Sequence, residues 1–252
     1  MIIDTHCHLD DTCYDSDLSQ VVQNAHDNGV KKMIIAGADT ADLPRAVQIA
    51  EKNAGVYFAV GAHPYNLSSF DEKIFERYAT HEKCVAIGEC GLDYYRKPDD
   101  AEKAEQKRIF EAQISLAVKF KKPLIVHIRD ANEDAFEILN RRKSELTRGG
   151  VLHCFNASPL LLGLSDTFFY GIGGVLTFKN AKSLVAILPQ IPRDKLVLET
   201  DAPYLTPEPF RGTRNEPART ALVAKKMAEL LSLDEKEVRT LTTQNAQRLF
   251  AI

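Results

Sequence analysis

The most chemically loaded stretch of the chain is Ile2-Ile3-Asp4-Thr5-His6-Cys7-His8, where two imidazoles stand two residues apart. A strand alternates its side chains between two faces, so His6 and His8 point the same way and can grip one cation together. Further along, Glu89, His127, His153 and Asp201 each close a separate apolar run. Imidazole nitrogen and carboxylate oxygen suit Zn²⁺ and Mn²⁺, and carboxylates also suit Mg²⁺; four histidines pull the set toward a transition metal.

Such a set converges only if the runs that carry it lie side by side. The segments Ile2 to His6, Lys32 to Ala36, Val56 to Gly61, Val85 to Gly88, Leu124 to His127, Val151 to His153, Phe168 to Ile172 and Leu196 to Glu199 read as eight strands. Helical patterns separate them. Leu43, Ala46, Val47 and Ala50 form one apolar stripe, and Phe110, Ile114, Ala117 and Phe120 form another within Ala101 to Phe120. Gly29 and Pro123 are reasonable helix stops. Alternating strands and helices over this length predict an α/β fold, a (β/α)₈ TIM barrel forming a single domain over residues 1–252, with an open doubly wound sheet as the competing architecture. Glu216 to Leu231 and Asp234 to Phe250 supply two closing helices.

Active sites of such barrels lie at the carboxyl edge of the strands, which gives all six donors one address. Six exceed what one catalytic tetrahedral ion needs, so a pair of cations is expected, with Glu89 as the bridge because strand 4 lies between strands 1 and 5. Two such ions, roughly 3.5–4 Å apart, activate water for hydrolysis. Asp201 is the expected general base, and His63, in Gly61-Ala62-His63-Pro64, is placed to touch a substrate oxygen. Asp4 and Glu199 are expected to orient ligands from behind. A lone strand-end histidine is more often a hydrogen-bonded structural residue, which is the competing reading of His63. His26 and His81 fall in helices and are assigned no function. Cys7, Cys90 and Cys154 adjoin ligands but, by alternation, are expected to face the helix layer as small buried hydrophobes.

The chain has 252 residues, 44% of them hydrophobic, and a formal charge of −3. That argues against coating nucleic acid or membrane with the whole surface and leaves a local cationic groove open. Five cysteines without a C-x-x-C pair fit reduced thiols. No apolar run nears the roughly 20 residues that span a bilayer, and the start lacks a signal-peptide pattern, so the expected location is cytoplasmic, with no membrane association and no obligate protein partner.

Taken together, Asp4-Thr5-His6-Cys7-His8-Leu9, Gly61-Ala62-His63-Pro64, Ile87-Gly88-Glu89-Cys90-Gly91-Leu92-Asp93, His127-Ile128-Arg129-Asp130, His153-Cys154-Phe155, Glu199-Thr200-Asp201-Ala202-Pro203-Tyr204, Arg211-Gly212 and Arg214-Asn215-Glu216-Pro217 closely resemble the TatD family of metal-dependent deoxyribonucleases. The resemblance runs from residue 2 to about residue 250. It implies an amidohydrolase-type barrel with two divalent cations (Zn²⁺, Mn²⁺ or Mg²⁺), acting as a DNase that releases nucleotides, often from 3′ ends. It also implies that His6, His8, Glu89 and Asp201 hold one ion and Glu89, His127 and His153 the other. Asn156-Ala157 and Thr213 depart from the family pattern.

The leading expectation is therefore hydrolysis of DNA phosphodiesters at single-stranded ends, with Glu89, Asp201 and His63 at the reacting centre and Arg129, Arg214 and Asn215 as substrate contacts. Guanidinium offers a planar fork to paired phosphate oxygens, and Tyr94, Tyr95, Phe155 or Tyr204 could stack a base. One rival keeps the metals and acts on a small amide, ester or lactone. Another is a noncatalytic barrel that uses metal for structure alone.

Overall fold

The apolar runs become strands because each has two buried faces, one turned into a barrel and one against helices. A computed structural model describing residues 1–252 shows β1 (Ile2–Cys7), β2 (Val30–Ile35), β3 (Val56–Val60), β4 (Cys84–Asp93), β5 (Leu124–Arg129), β6 (Gly150–Leu152), β7 (Phe168–Ile172) and β8 (Leu196–Leu198). They pair in parallel in chain order. Around them lie α1 (Leu18–Asp27), α2 (Leu43–Lys52), α3 (Glu72–Ala79), α4 (Asp100–Phe120), α5 (Asn132–Arg142), α6 (Lys182–Ile187), α7 (Thr220–Leu231) and α8 (Glu235–Phe250). This is a TIM barrel. Between β6 and β7 the connection is a 3₁₀ segment, Pro159–Leu164, in place of a full helix.

Every strand contributes to the floor of the barrel, through Ile3, Ile34, Ala59, Val85 with Ala86, Ile125, Val151, Phe169 and Val197, plugged from below by Ala246, Leu249 and Phe250 of α8. Burying an Ile or Val here is worth about 1.5–3 kcal/mol. The dry floor leaves the opposite, carboxyl end of the strands for polar chemistry.

A seam between β1 and the segment after β8 closes the ring. Thr5 Oγ1 donates to the Leu198 carbonyl at 3.0 Å, His8 N to Ala202 O at 2.7 Å and Asp201 N to His6 O at 2.9 Å. The Asp4 carboxylate accepts from the Thr200 amide (2.9 Å) and hydroxyl (2.5 Å), 196 residues away in the chain.

β4 corrects the sequence reading, which ended it at Gly88; it runs on to Asp93, so Glu89 lies inside the strand. Gly88 and Gly91 look like strand stops, yet both hold positive φ (139° and 145°), and a Cβ would collide with the carbonyl oxygen of Ile125 at the first and of His127 at the second. Only glycine allows that approach. Between Ile87 and Cys90 the register against β5 slips by one residue, a bulge that re-aims the intervening Glu89.

α4 fixes the neighbouring strand ends. It starts with a reciprocal Asp99–Glu102 capping box and ends at Lys121 in the left-handed region, just before Pro123. Two buried glutamines, two turns apart, then clamp backbone. Gln106 exchanges hydrogen bonds with Asp93 N and O (2.8 and 3.0 Å), and Gln113 does the same with Ala62 (2.8 and 3.1 Å). No helix is long and apolar enough to cross a membrane.

Candidate metal centre

Glu89 stands at the middle of the mouth, and its two oxygens face different histidines. Oε2 lies 3.2 Å from His6 Nε2 and 3.9 Å from His8 Nε2; Oε1 lies 2.7 Å from His127 Nδ1, 3.8 Å from His63 Nε2 and 3.9 Å from His153 Nε2. Asp201 Oδ1 completes the first side at 3.5 Å from His8, 3.7 Å from His6 and 3.8 Å from His153.

These separations test whether the donors fit a cation. With ligand bonds of about 2.1 Å, neighbouring donors around one tetrahedral ion stand about 3.4 Å apart. His6 and His8 Nε2 are 3.3 Å apart, and their distances to Glu89 and Asp201 bracket the same value. That spacing allows two imidazole nitrogens and two carboxylate oxygens to surround one divalent cation. A second group, Glu89, His127 and His153, has its ligand atoms within 4.8 Å of one another. The residues present therefore fit divalent metal on both sides of Glu89.

Electrostatics agree with that fit. Despite its burial, the surrounding His6, His153 and His127 hold the Glu89 carboxyl well below the usual range. Burial works against protonated His8 and His153, but Asp201 and Glu89 raise the former to about 9, and Glu199, Glu89 and Asp201 raise the latter to about 10. In the absence of cations the carboxylates keep protons on these rings. Burial, with the neighbouring His127 opposing charge as well, lowers His63 to about 4 and keeps it neutral. Its Nδ1 accepts from Tyr65 N at 3.1 Å, which leaves the proton on Nε2.

The outer partners were only partly legible. His153 Nδ1 stands 3.1 Å from Glu199 Oε1, which also accepts from Cys154 N at 2.6 Å. Asp4 acts through the barrel seam, reaching His6 N at 3.3 Å. Asp93 was missed: its Oδ2 lies 2.9 Å from His127 Nε2, while Oδ1 accepts from Tyr65 Oη (2.7 Å) and Tyr95 N (2.9 Å). The signal available was its position four residues after Glu89, on the same face of β4.

A charged cavity of about 790 Å³ opens above the donors, with Asp10, Asp11 and Asp42 on one side and Arg96 and Arg129 on the other. Arg129 lies 3.7 Å over the Tyr95 ring and Arg96 3.9 Å over Tyr65, so each guanidinium is held by a π face. Arg96 was also missed by the sequence reading.

Two expected substrate contacts lie elsewhere. Arg214 is committed to Asp17 through both terminal nitrogens (2.9 and 2.6 Å), donates to Cys13 O and does not line the cavity. Asn215 is fully buried, donates to Thr200 O (3.0 Å) and Tyr204 O (2.7 Å), and so pins the loop that follows Asp201. Cys7 and Cys90 pack in the helix-facing core as expected. Cys154 does not: its positive φ of 44° breaks strand alternation and leaves it half-buried beside the site.

Comparison with known proteins places this arrangement among relatives. The TatD related DNase family matches residues 3–251. The chain is 40% identical to the uncharacterized metal-dependent hydrolase YabD of Bacillus subtilis, with all of both chains covered. It is 33% identical to a protein of Erwinia tasmaniensis named 3′-5′ ssDNA/RNA exonuclease TatD, covering 99% of each. Among solved structures, the TatD homologue YJJV of Escherichia coli superposes with a TM-score of 0.91 at 29% identity over 100% of this chain and 98% of that one. A family match across nearly the whole length, together with relatives at this identity, leads to one conclusion: the chain belongs to the TatD-related DNase family of metal-dependent hydrolases.

Proposed function

We propose that the protein is a two-cation phosphodiesterase that removes nucleotides from the 3′ ends of single-stranded DNA. The observation that carries this reading is the division of Glu89 between two histidine sets, which suits a carboxylate bridging two ions. His6, His8, Glu89 and Asp201 would hold one ion, and Glu89, His127 and His153 the other, whether Zn²⁺, Mn²⁺ or Mg²⁺. Cations bound there supply Lewis-acid polarisation of phosphoryl oxygens and activation of water.

The chain's own residues do the rest. The Asp201 carboxylate is 16% exposed, open enough to the cavity to take a proton from the attacking water. His63, neutral with its proton on Nε2, donates to a substrate oxygen. Arg129, braced on Tyr95, and Arg96, braced on Tyr65, take phosphate oxygens with little rotamer freedom left to lose. The mouth is recessed, which favours a single strand over a duplex, and the name of the Erwinia relative supports a nucleic-acid substrate.

The test is digestion of 5′-labelled single-stranded DNA and RNA with Mg²⁺, Mn²⁺ or Zn²⁺. The expected result is stepwise shortening from the 3′ end, absent from Glu89→Ala protein. Oligonucleotides left intact under every cation, with a small ester or lactone turned over, would overturn the reading in favour of a small-molecule hydrolase.

A further inference from the structure

A second cavity, of about 570 Å³, meets the charged one at the donor cluster and has a different character. The two share His127, Arg129, His153, Asp201 and Tyr204, so anything straddling the junction lies across the proposed reaction centre. Ile128, Phe155, Val175, Leu184 and Leu205 wall the second cavity, and its sole carboxylate is Asp201 at the junction. The volume is within the range of small-ligand sites, about 300–1,000 Å³, which are mostly apolar with a few polar groups.

Away from the junction those polar groups are sparse, and two of the three are free to turn. Asn156 is spent on the protein: its amide donates to Asn132 Oδ1 (2.7 Å) and Ile128 O (3.3 Å), and its oxygen accepts from Ser158 N (3.1 Å). Asn180 and Ser183, both exposed, bracket the start of α6 and make no side-chain hydrogen bond within the protein. An amide and a hydroxyl that can each donate or accept are suited to the edge of a flat heterocycle.

We propose that this apolar cavity is a nucleobase pocket, which holds the base of a nucleotide flanking the scissile phosphate while the charged cavity takes sugar and phosphate. The assignment to a base next to a phosphodiester rests on the nuclease reading; the capacity to bind a heteroaromatic ring does not. Away from the rim it shares with the charged cavity the pocket has no cationic side chain, so a strong anion finds no partner there, and a sugar would leave its apolar walls unfilled. Because Asn180 and Ser183 can each present donor or acceptor, all four bases are accepted, with KM differing by less than about tenfold between them, a spread of about 1.4 kcal/mol.

The experiment uses the full chain and two readouts. Saturation-transfer NMR with deoxyadenosine and thymidine, which carry no phosphate, is expected to show base protons saturated more strongly than sugar protons, and to show the same in Glu89→Gln protein. Ser183→Trp, from the exposed start of α6, and Val175→Trp, from a different wall, are each expected to abolish that signal and to raise the oligonucleotide KM by about tenfold or more, the scale of a lost base stack. Base binding that both variants abolish, in a protein that cuts no nucleic acid, would sink the nuclease reading and keep the pocket. Oligonucleotide cleavage without base saturation, and with KM unmoved in both variants, would overturn the pocket and keep the nuclease.

Discussion

His127 is held between two carboxylates: Nε2 lies 2.9 Å from Asp93 and Nδ1 2.7 Å from Glu89. Asp93 fixes the ring's rotation and raises its basicity, as an acid behind a metal-ligating imidazole does. Its own carboxyl is kept low, at about 2, because the His127, Tyr65 and Tyr95 contacts outweigh the cost of burial. Asp93→Asn is expected to lower metal affinity or activity by about 10–100-fold, with affinity measured by competition against a chelating dye. Unchanged affinity and unchanged turnover together would refute the role.

Glu89 has no substitute in the site. Glu89→Ala should cost more than the roughly 10–100-fold of outer-shell changes and should reduce the cations retained per chain from two to one or none, read by elemental analysis after desalting. Two cations retained by the variant would remove the bridge from the scheme.

Cation binding should expel protons. Folded His8 at about 9 and His153 at about 10 both lie above the ordinary value of 6.5. The metal-free fold therefore gains stability from these protons fully below about pH 6.5 and loses it as pH rises through about 9 to 10. Bound metal requires the neutral rings, so titration at pH 7 should release protons. Calorimetry in buffers of different ionisation enthalpy checks this; an apparent enthalpy independent of buffer would contradict it.

Arg129 and Arg214 should separate cleanly. Arg129→Ala is expected to raise KM for single-stranded DNA and to flatten the logarithmic salt dependence of binding by about 0.7, one phosphate contact on a single strand. Arg214→Ala should leave that slope alone, because its fork is bound to Asp17; the pair is partly exposed, so the stability loss is about 0–1 kcal/mol. Equal slopes in Arg129→Ala and wild type would remove Arg129 from the phosphate path.

Asn215→Ala tests a buried pin. It leaves the Thr200 and Tyr204 carbonyls without their donor, at a cost of about 1–3 kcal/mol in urea unfolding. A variant as stable as wild type would show that water replaces the amide.

The barrel and the convergence of the six donors were legible because histidines and acids recur toward the carboxyl end of five of the eight β-runs, and alternation of apolar runs with helical patterns puts those ends side by side. β4 was misread at its end because Gly88 and Gly91 signal a stop locally, whereas close backbone approach to β5 is what they serve. Asp93 and Arg96 were hidden for a related reason: their partners, His127 and Tyr65, are remote in sequence. Arg214 and Asn215 were expected to contact substrate from residue type and from the motif they belong to, neither of which reveals that Asp17 and two carbonyls already occupy them.

The seam between the first strand and the segment beyond the last has a consequence for biogenesis. Thr200 is synthesised 196 residues after the Asp4 that it anchors, with Asp201 following it, so the two halves of the seam are made far apart in time. A nascent chain that already carries His6, His8 and Glu89 cannot close the donor ring until Asp201 has been made. A chain stalled short of Thr200 would lack both the anchor of Asp4 and the Asp201 donor, and would present an open mouth.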